Sequence, residues 1–117
     1  KEKDVFVHVS AVRDALFGGL GTGQALKETG KADDIIAVTF DSSDELINYI
    51  NDGTLKGLII QDPWGMGNMG VKAAFDASQN GKVLAPFVDT GATLVTKANI
   101  NDAAIDAKLN PSLDCKP

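Results

Sequence analysis

The sequence has 117 residues, 44% of them hydrophobic and 23% charged, which is the composition of one globular domain with a modest core. Eleven basic residues against sixteen acidic ones give a net charge of −5 without any basic cluster, so nucleic acid and anionic membranes are excluded as expected partners. The single cysteine, Cys115, excludes an internal disulfide and a cysteine-based metal site.

The chain begins with a predicted strand and helix. Residues 5–9 alternate Val with Phe and His, which is the period-2 pattern of a strand. A helix is predicted from about Asp14, its expected N-cap, to Gly30. Its interior carries four glycines, each costing about 1 kcal/mol relative to alanine: Gly18, Gly19, Gly21 and Gly23. We therefore expect that this helix either packs very closely or has irregular first turns.

The middle of the chain repeats the same order of elements. Residues 35–40 form a near-continuous apolar run, typical of a strand covered on both faces, and Asp41 ends it. Ser42 and Glu45 are spaced as a capping box for the next helix, which Gly53 ends. Another buried strand is predicted over residues 55–60.

The last part begins with Pro63, which suits the first position of a helix that ends at Gly81. Two apolar segments follow, residues 83–88 and 93–95, separated by the turn signal Asp89-Thr90-Gly91. After Lys97 the chain becomes polar, and we expect it to lie on the surface. The alternation of strands and helices predicts an α/β fold, with a parallel β-sheet and flanking helices.

Two alternative interpretations concern enzyme chemistry. The run of glycines at 18–23 resembles a phosphate loop, but it begins nine residues after the strand and lacks both the dinucleotide fingerprint and a Walker lysine. His8 is the sole histidine, so neither a Ser-His-Asp triad nor a clustered metal site is predicted. The sequence therefore predicts no catalytic residues, no metal and no cofactor, with a nucleotide-binding enzyme as the least favoured alternative.

Polar side chains follow three successive strands at the point where each ends. They are Arg13 and Asp14, then Asp41, then Gln61 and Asp62. Helix capping explains Asp14 and Asp41 equally well, but it does not explain Gln61. Because the carboxyl ends of parallel strands meet at one edge of a sheet, these groups are expected to converge there, as recognition of a polyhydroxylated ligand requires.

Three stretches resemble the C-terminal part of the type I periplasmic sugar-binding proteins of ABC importers, of the ribose, galactose and allose kind. They are Ala37-Val38-Thr39-Phe40-Asp41-Ser42-Ser43, the segment from Gly57 ending in Gln61-Asp62-Pro63-Trp64-Gly65-Met66-Gly67, and Asp89-Thr90-Gly91-Ala92-Thr93-Leu94-Val95-Thr96-Lys97. The resemblance implies ligand contacts at Asp14, Asp41 and Gln61, with Arg13 where the family has Asn and Thr39 where Gly is usual. It also implies a sugar ligand, a membrane permease as partner, and a periplasmic or extracellular location.

The resemblance further implies two α/β lobes and a chain about twice this length. It assigns residues 1–62 to the C-terminal lobe, residues 63–89 to the N-terminal lobe, and residues 90–117 to a return strand with a surface tail. A second chain or a swapped copy would then be needed to cover the exposed apolar surface. The alternative within the same fold is the effector or sensor domain of a sugar-responsive repressor or signalling receptor.

Overall fold

The computed structural model describes residues 4–7, 15–83 and 85–111. Strands and helices alternate along the chain, in the order β1 (Asp4–Val7), α1 (Ala15–Thr29), β2 (Ile35–Phe40), α2 (Asp44–Asn51), β3 (Gly57–Ile60), α3 (Pro63–Asn80), β4 (Thr93–Val95) and α4 (Ala103–Leu109).

The strands form one sheet in the order β1-β2-β3-β4. β1 and β2 pair in parallel, as do β2 and β3, which confirms the α/β fold and its three adjacent parallel strands. β4 differs from the prediction, because it runs antiparallel to β3, with Thr93 opposite Ile60 and Val95 opposite Leu58. The chain leaves the carboxyl end of β3 through α3 and returns to that same end, so β4 must run in the opposite direction.

One face of this sheet carries the core. The strand order advances in a single direction, so two right-handed crossovers place α1 and α2 on the same face. On that face Ala37 and Thr39 of β2 are buried, whereas alternate residues of β2 are only half-buried. The prediction that β2 is covered on both faces is therefore wrong for the described part of the chain, which supplies both helices to one side.

Helix α1 packs closely on α2, which explains its glycines. A Cβ added at Gly23 would lie 2.3 Å from the Tyr49 ring, and one at Gly19 would lie 3.2 Å from Leu46 and 3.3 Å from Thr39. These glycines lie inside a regular helix that ends at Gly30, whose φ is +66°. The close-packing interpretation is confirmed, and the phosphate-loop interpretation is wrong because no loop exists at this position.

The N-cap of α2 differs from the predicted one, whereas the bounds of α3 agree with the prediction. Helix α2 is capped by Ser43, whose Oγ accepts the Leu46 N–H at 3.2 Å, and not by Ser42. Glu45 is then one position too early for a capping box, and instead it accepts a hydrogen bond from the Tyr49 hydroxyl at 2.8 Å. Helix α3 begins at Pro63 and ends at Gly81, as predicted.

Helix α3 projects away from the sheet. All of its residues are described, and none of them is buried. The described residues of the apolar segment 83–88 form no strand, and Val83, Phe87 and Val88 are exposed, so the later strand of the sheet is confined to Thr93–Val95. The radius of gyration is 17.6 Å, against about 13 Å for a compact domain of this length.

Helix α4 corrects the expectation of a surface tail after Lys97. Ile100 and Ile105 belong to the buried core, and Leu109 packs against it. Asp102 precedes the helix as its N-cap residue, and Ile105 and Leu109 are four residues apart, so a short helical pattern was present in the sequence.

Candidate functional site

The candidate site lies at the carboxyl edge of β2 and β3. These neighbouring strands are parallel, with Phe40 opposite Ile59, so the residues that follow them emerge side by side. Asp41 follows β2, and Gln61 and Asp62 follow β3. The predicted convergence of Asp41 with Gln61 is therefore present in the structure.

Asp41 has a backbone geometry that is uncommon for a residue other than glycine. Its φ is +68°, in the left-handed region, and its N–H donates to the Ile59 carbonyl at 2.9 Å. This hydrogen bond holds Asp41 against β3, one residue beyond the strand. Because Ser43 caps α2, Asp41 has no capping role, and among the described residues no group hydrogen-bonds to its carboxylate.

Gln61 and Asp62 are adjacent but have different roles. Asp62 is the N-cap of α3, with its Oδ1 accepting the Gly65 N–H at 2.8 Å. A Cβ at Gly65 would lie 2.5 Å from Asp62 Oδ2, so the loop closes tightly on this carboxylate. Gln61 is half-buried, and within the described ranges its side chain makes no hydrogen bond, which leaves the amide available as both donor and acceptor.

A cleft of about 260 Å³ brings these groups together. Its polar lining comes from Asp41, Ser42, Gln61 and Lys108, and its apolar lining from Leu16, Ile60 and Pro63. Complete small-molecule sites span about 300–1,000 Å³, so this cleft has the size of part of a site. Its lining provides one carboxylate, one amide, one hydroxyl and one ammonium, a mixture that suits several hydroxyl groups.

Lys108 was missed by the sequence analysis. It lies on α4, 47 residues after Gln61 in the chain, and its Nζ donates to Thr93 Oγ1 on β4 at 2.7 Å. This hydrogen bond directs the ammonium toward the cleft. No local pattern could place it there, because its position depends on how α4 docks on the core.

Two other predicted site residues, Arg13 and Asp14, lie outside the described residues.

Within the described ranges no group of three or more His, Cys, Asp and Glu side chains is arranged to hold a metal ion. No helix in those ranges combines the length and the apolar character that a membrane span requires.

Comparison with known protein families gave one match. The family described as "periplasmic binding protein domain" matches residues 6–82. Those residues contain the Asp41 and Gln61 strand ends and the whole of α3. A comparison with curated protein sequences found no match.

Several solved structures are similar to this chain. A carbohydrate-transporter solute-binding protein from Agrobacterium radiobacter, in complex with D-arabinose, is 41% identical, with a TM-score of 0.71 over 79% of this chain and 31% of its own. An ABC-transporter solute-binding protein from Agrobacterium vitis with bound D-fucose is 28% identical, with a TM-score of 0.73 over 88% of this chain and 33% of its own. The present chain thus spans about a third of the length of these relatives.

A third relative has a mixed description. It is a protein from Brachyspira murdochii described as "ABC transporter, LacI family transcriptional regulator", and it is 33% identical to this chain. The match has a TM-score of 0.61 and covers 64% of this chain and 23% of the other.

Proposed function

This chain belongs to the periplasmic binding protein domain family, and from that premise we propose that it forms part of the substrate-binding component of an ABC-type carbohydrate importer. The ligand is a mono- or small oligosaccharide held between two lobes. We assign residues 1–62 to one lobe, and the cleft at Asp41 and Gln61 is that lobe's half of the site.

The observation that carries this proposal is the pair Asp41 and Gln61 at one edge of two parallel strands. A carboxylate accepts two hydroxyl hydrogen bonds, and an amide both donates and accepts. Ligands of open α/β sheets bind at this edge, outside the carboxyl ends of the strands. The strained backbone of Asp41 supports a ligand-binding role, because such conformations cluster at functional positions. Arg13 and Asp14 complete the proposed set.

Helix α3 and the segment after it support the two-lobe arrangement. No residue of α3 is buried here, and Met69, Val71 and Phe75 are exposed to 42%, 73% and 60%. Such an apolar surface is rarely left open in a soluble protein. We assign residues 63–89 to the second lobe, where the remainder of that lobe, or a second chain or swapped copy, covers them.

The relatives are described as solute-binding proteins of transporters, and not as enzymes. We extend this to the present chain as a protein that binds sugar without turnover and without a cofactor. The binding component of such an importer delivers its sugar to the membrane permease of the same importer. The proposed partner is therefore that permease, and the proposed location is periplasmic or extracellular.

A second candidate function rests on the relative from Brachyspira murdochii, whose description includes a transcriptional regulator. In this alternative the same cleft is the effector site of a sugar-responsive repressor or sensor. A helix-turn-helix upstream of residue 1 in the gene would establish the regulator, and a signal peptide or lipid-anchor cysteine would establish the importer component.

Titration calorimetry of the complete gene product with pentoses and hexoses tests the site. We expect Asp41→Ala to weaken binding by about 10- to 100-fold and Gln61→Ala by a few-fold to about tenfold, because hydrogen bonds to a charged group are the stronger ones. Asp34→Ala is the matched control, since Asp34 is exposed at the opposite end of β2. Equal affinities for Asp41→Ala and Asp34→Ala would exclude this cleft as the sugar site.

A further inference from the structure

A second cleft adjoins the first one. It has a volume of about 390 Å³ and is lined by Asp62, Trp64, Ala104, Ala107, Lys108 and Pro111. Lys108 lines both clefts, so the two lie on either side of its side chain. Successive residues after β3 alternate between them: Gln61 and Pro63 line the first cleft, whereas Asp62 and Trp64 line the second.

Trp64 is the sole tryptophan of the chain and lies in the first turn of α3. Its side chain is 57% exposed, although it faces a cleft and is flanked by a carboxylate and an ammonium group. An indole ring provides a flat, rigid apolar face, and the C–H face of a sugar ring can lie on it while the hydroxyls bond to neighbouring polar groups. Asp62 and Lys108 are those polar groups.

Lys108 also has donors to spare. Among the described residues its Nζ donates one hydrogen bond, to Thr93 Oγ1 at 2.7 Å, and an ammonium carries three N–H groups. Two donors therefore remain at the boundary of the two clefts. Asp62 Oδ1 accepts the Gly65 N–H and fixes the carboxylate in place, so both polar groups are held in position without a ligand.

We propose that the cleft between Trp64 and α4 is a second sugar subsite, which holds the next unit of a disaccharide or small oligosaccharide whose first unit occupies the Asp41–Gln61 cleft. Lys108, as the residue common to both linings, favours this occupant over an unrelated ligand, because the linkage between two sugar units would pass beside that side chain. This inference rests on the proposed function, which leaves the number of sugar units open.

The test compares monosaccharides with disaccharides that contain them, using the complete gene product and titration calorimetry. The probes are D-arabinose with a D-arabinosyl-D-arabinose disaccharide, D-galactose with lactose and melibiose, and D-fucose as a further monosaccharide. At least one disaccharide is expected to bind about tenfold more tightly than its own monosaccharide, with quenching of tryptophan fluorescence that Trp64→Phe reduces. Trp64→Ala removes this affinity gain and leaves monosaccharide affinity unchanged, whereas Trp64→Phe retains most of it.

Two different outcomes would overturn the subsite. Either no disaccharide binds more tightly than the monosaccharide it contains, or Trp64→Ala changes thermal stability but affects both classes of sugar equally, which would make Trp64 a packing residue. The proposed function fails separately, if none of the six sugars binds or if binding is insensitive to Asp41→Ala.

Discussion

At the scale of single residues, the one non-glycine residue with a positive φ in the described part of the chain lies at the proposed sugar contact. Asp41 has a φ of +68°, and its N–H is held by the Ile59 carbonyl at 2.9 Å. A continued strand would direct residue 41 along the sheet, whereas the left-handed turn redirects the chain before Ser43 begins to cap α2. Asp41 thereby lines the same cleft as Gln61, and its carboxylate is not used to cap the helix.

Gly23 provides a residue-scale prediction about stability. Alanine at this position would place its Cβ 2.3 Å from Tyr49, so we expect Gly23→Ala to lower the free energy of unfolding by about 1–3 kcal/mol. Gly21→Ala in the same helix is the control, since nothing lies within 4 Å of its added Cβ, and it is expected to raise that free energy by up to about 1 kcal/mol. Urea unfolding of both variants measures the difference. Equal midpoints would show that α1 does not pack on Tyr49.

The sequence allowed some site residues to be predicted and not others. Asp41 and Gln61 were predicted because two β-branched strands followed by polar residues share an edge in any parallel sheet. Ser42 was predicted as the N-cap of α2 in place of Ser43, because either of two adjacent serines can cap a helix and only the position where the helix starts distinguishes them. Lys108 could not be placed, since its distance from the cleft depends on tertiary docking of α4 and Thr93.

At the scale of secondary-structure elements, a cluster of polar side chains links α1 to α2 near the contact between Gly23 and Tyr49. Lys27 Nζ lies 2.6 Å from Asp52 Oδ2 and 4.7 Å from the centroid of the Tyr49 ring. The Tyr49 hydroxyl donates to Glu45, and this hydrogen bond, with burial, raises the pKa of Tyr49. The helix pair therefore combines a close glycine contact with charge pairing at its rim.

Asp52 gives this helix pair a predicted dependence on pH. Burial would raise the pKa of Asp52, but hydrogen bonds from Lys27 and Thr54 outweigh it and lower that pKa from 3.8 to about 2. The stabilisation is thus fully present above about pH 4 and is lost as the pH falls through about 2. Since both side chains are more than 40% exposed, we expect only about 0.2–1 kcal/mol.

Urea unfolding of wild type and Asp52→Asn between pH 7 and pH 2 measures this contribution. Wild type is expected to be the more stable protein at pH 7, and the difference should shrink toward pH 2 and in high salt. Asp33→Asn is the matched control, because Asp33 is fully exposed and its Oδ1 lies 3.9 Å from Lys56 Nζ, against 2.6 Å between Asp52 Oδ2 and Lys27 Nζ. A difference that stays constant from pH 7 to pH 2 would contradict the assignment.

At the scale of the whole molecule, this chain has an open side. Within the described residues, α1 and α2 cover one face of the sheet, and Leu94 on the opposite face is 50% exposed. Helix α3 extends about 27 Å without a buried residue, and the chain then returns to pair β4 with β3. The sequence predicted the alternation of strands and helices but not this open side. An apolar strand or helix has the same hydrophobic pattern whether the residues that pack on it belong to the same chain or to another part of the protein.

The central claim is that Asp41 and Gln61 form half of a two-lobed sugar site. A neutral contact at Gln61 contributes about 0.5–1.5 kcal/mol and a charged one at Asp41 about 1.5–3 kcal/mol. Together they do not readily offset an association cost of at least about 4 kcal/mol, so half a site should bind weakly. Closure of a second lobe excludes water and supplies the remaining contacts.

Titration calorimetry of the isolated 117-residue chain, beside the complete gene product, tests this claim most directly. With the same pentose and hexose panel, we expect the complete product to bind one sugar with micromolar affinity, and the isolated chain to bind no sugar more tightly than about millimolar. Micromolar binding by the isolated chain that survives both Asp41→Ala and Gln61→Ala would contradict the site and the two-lobe arrangement together.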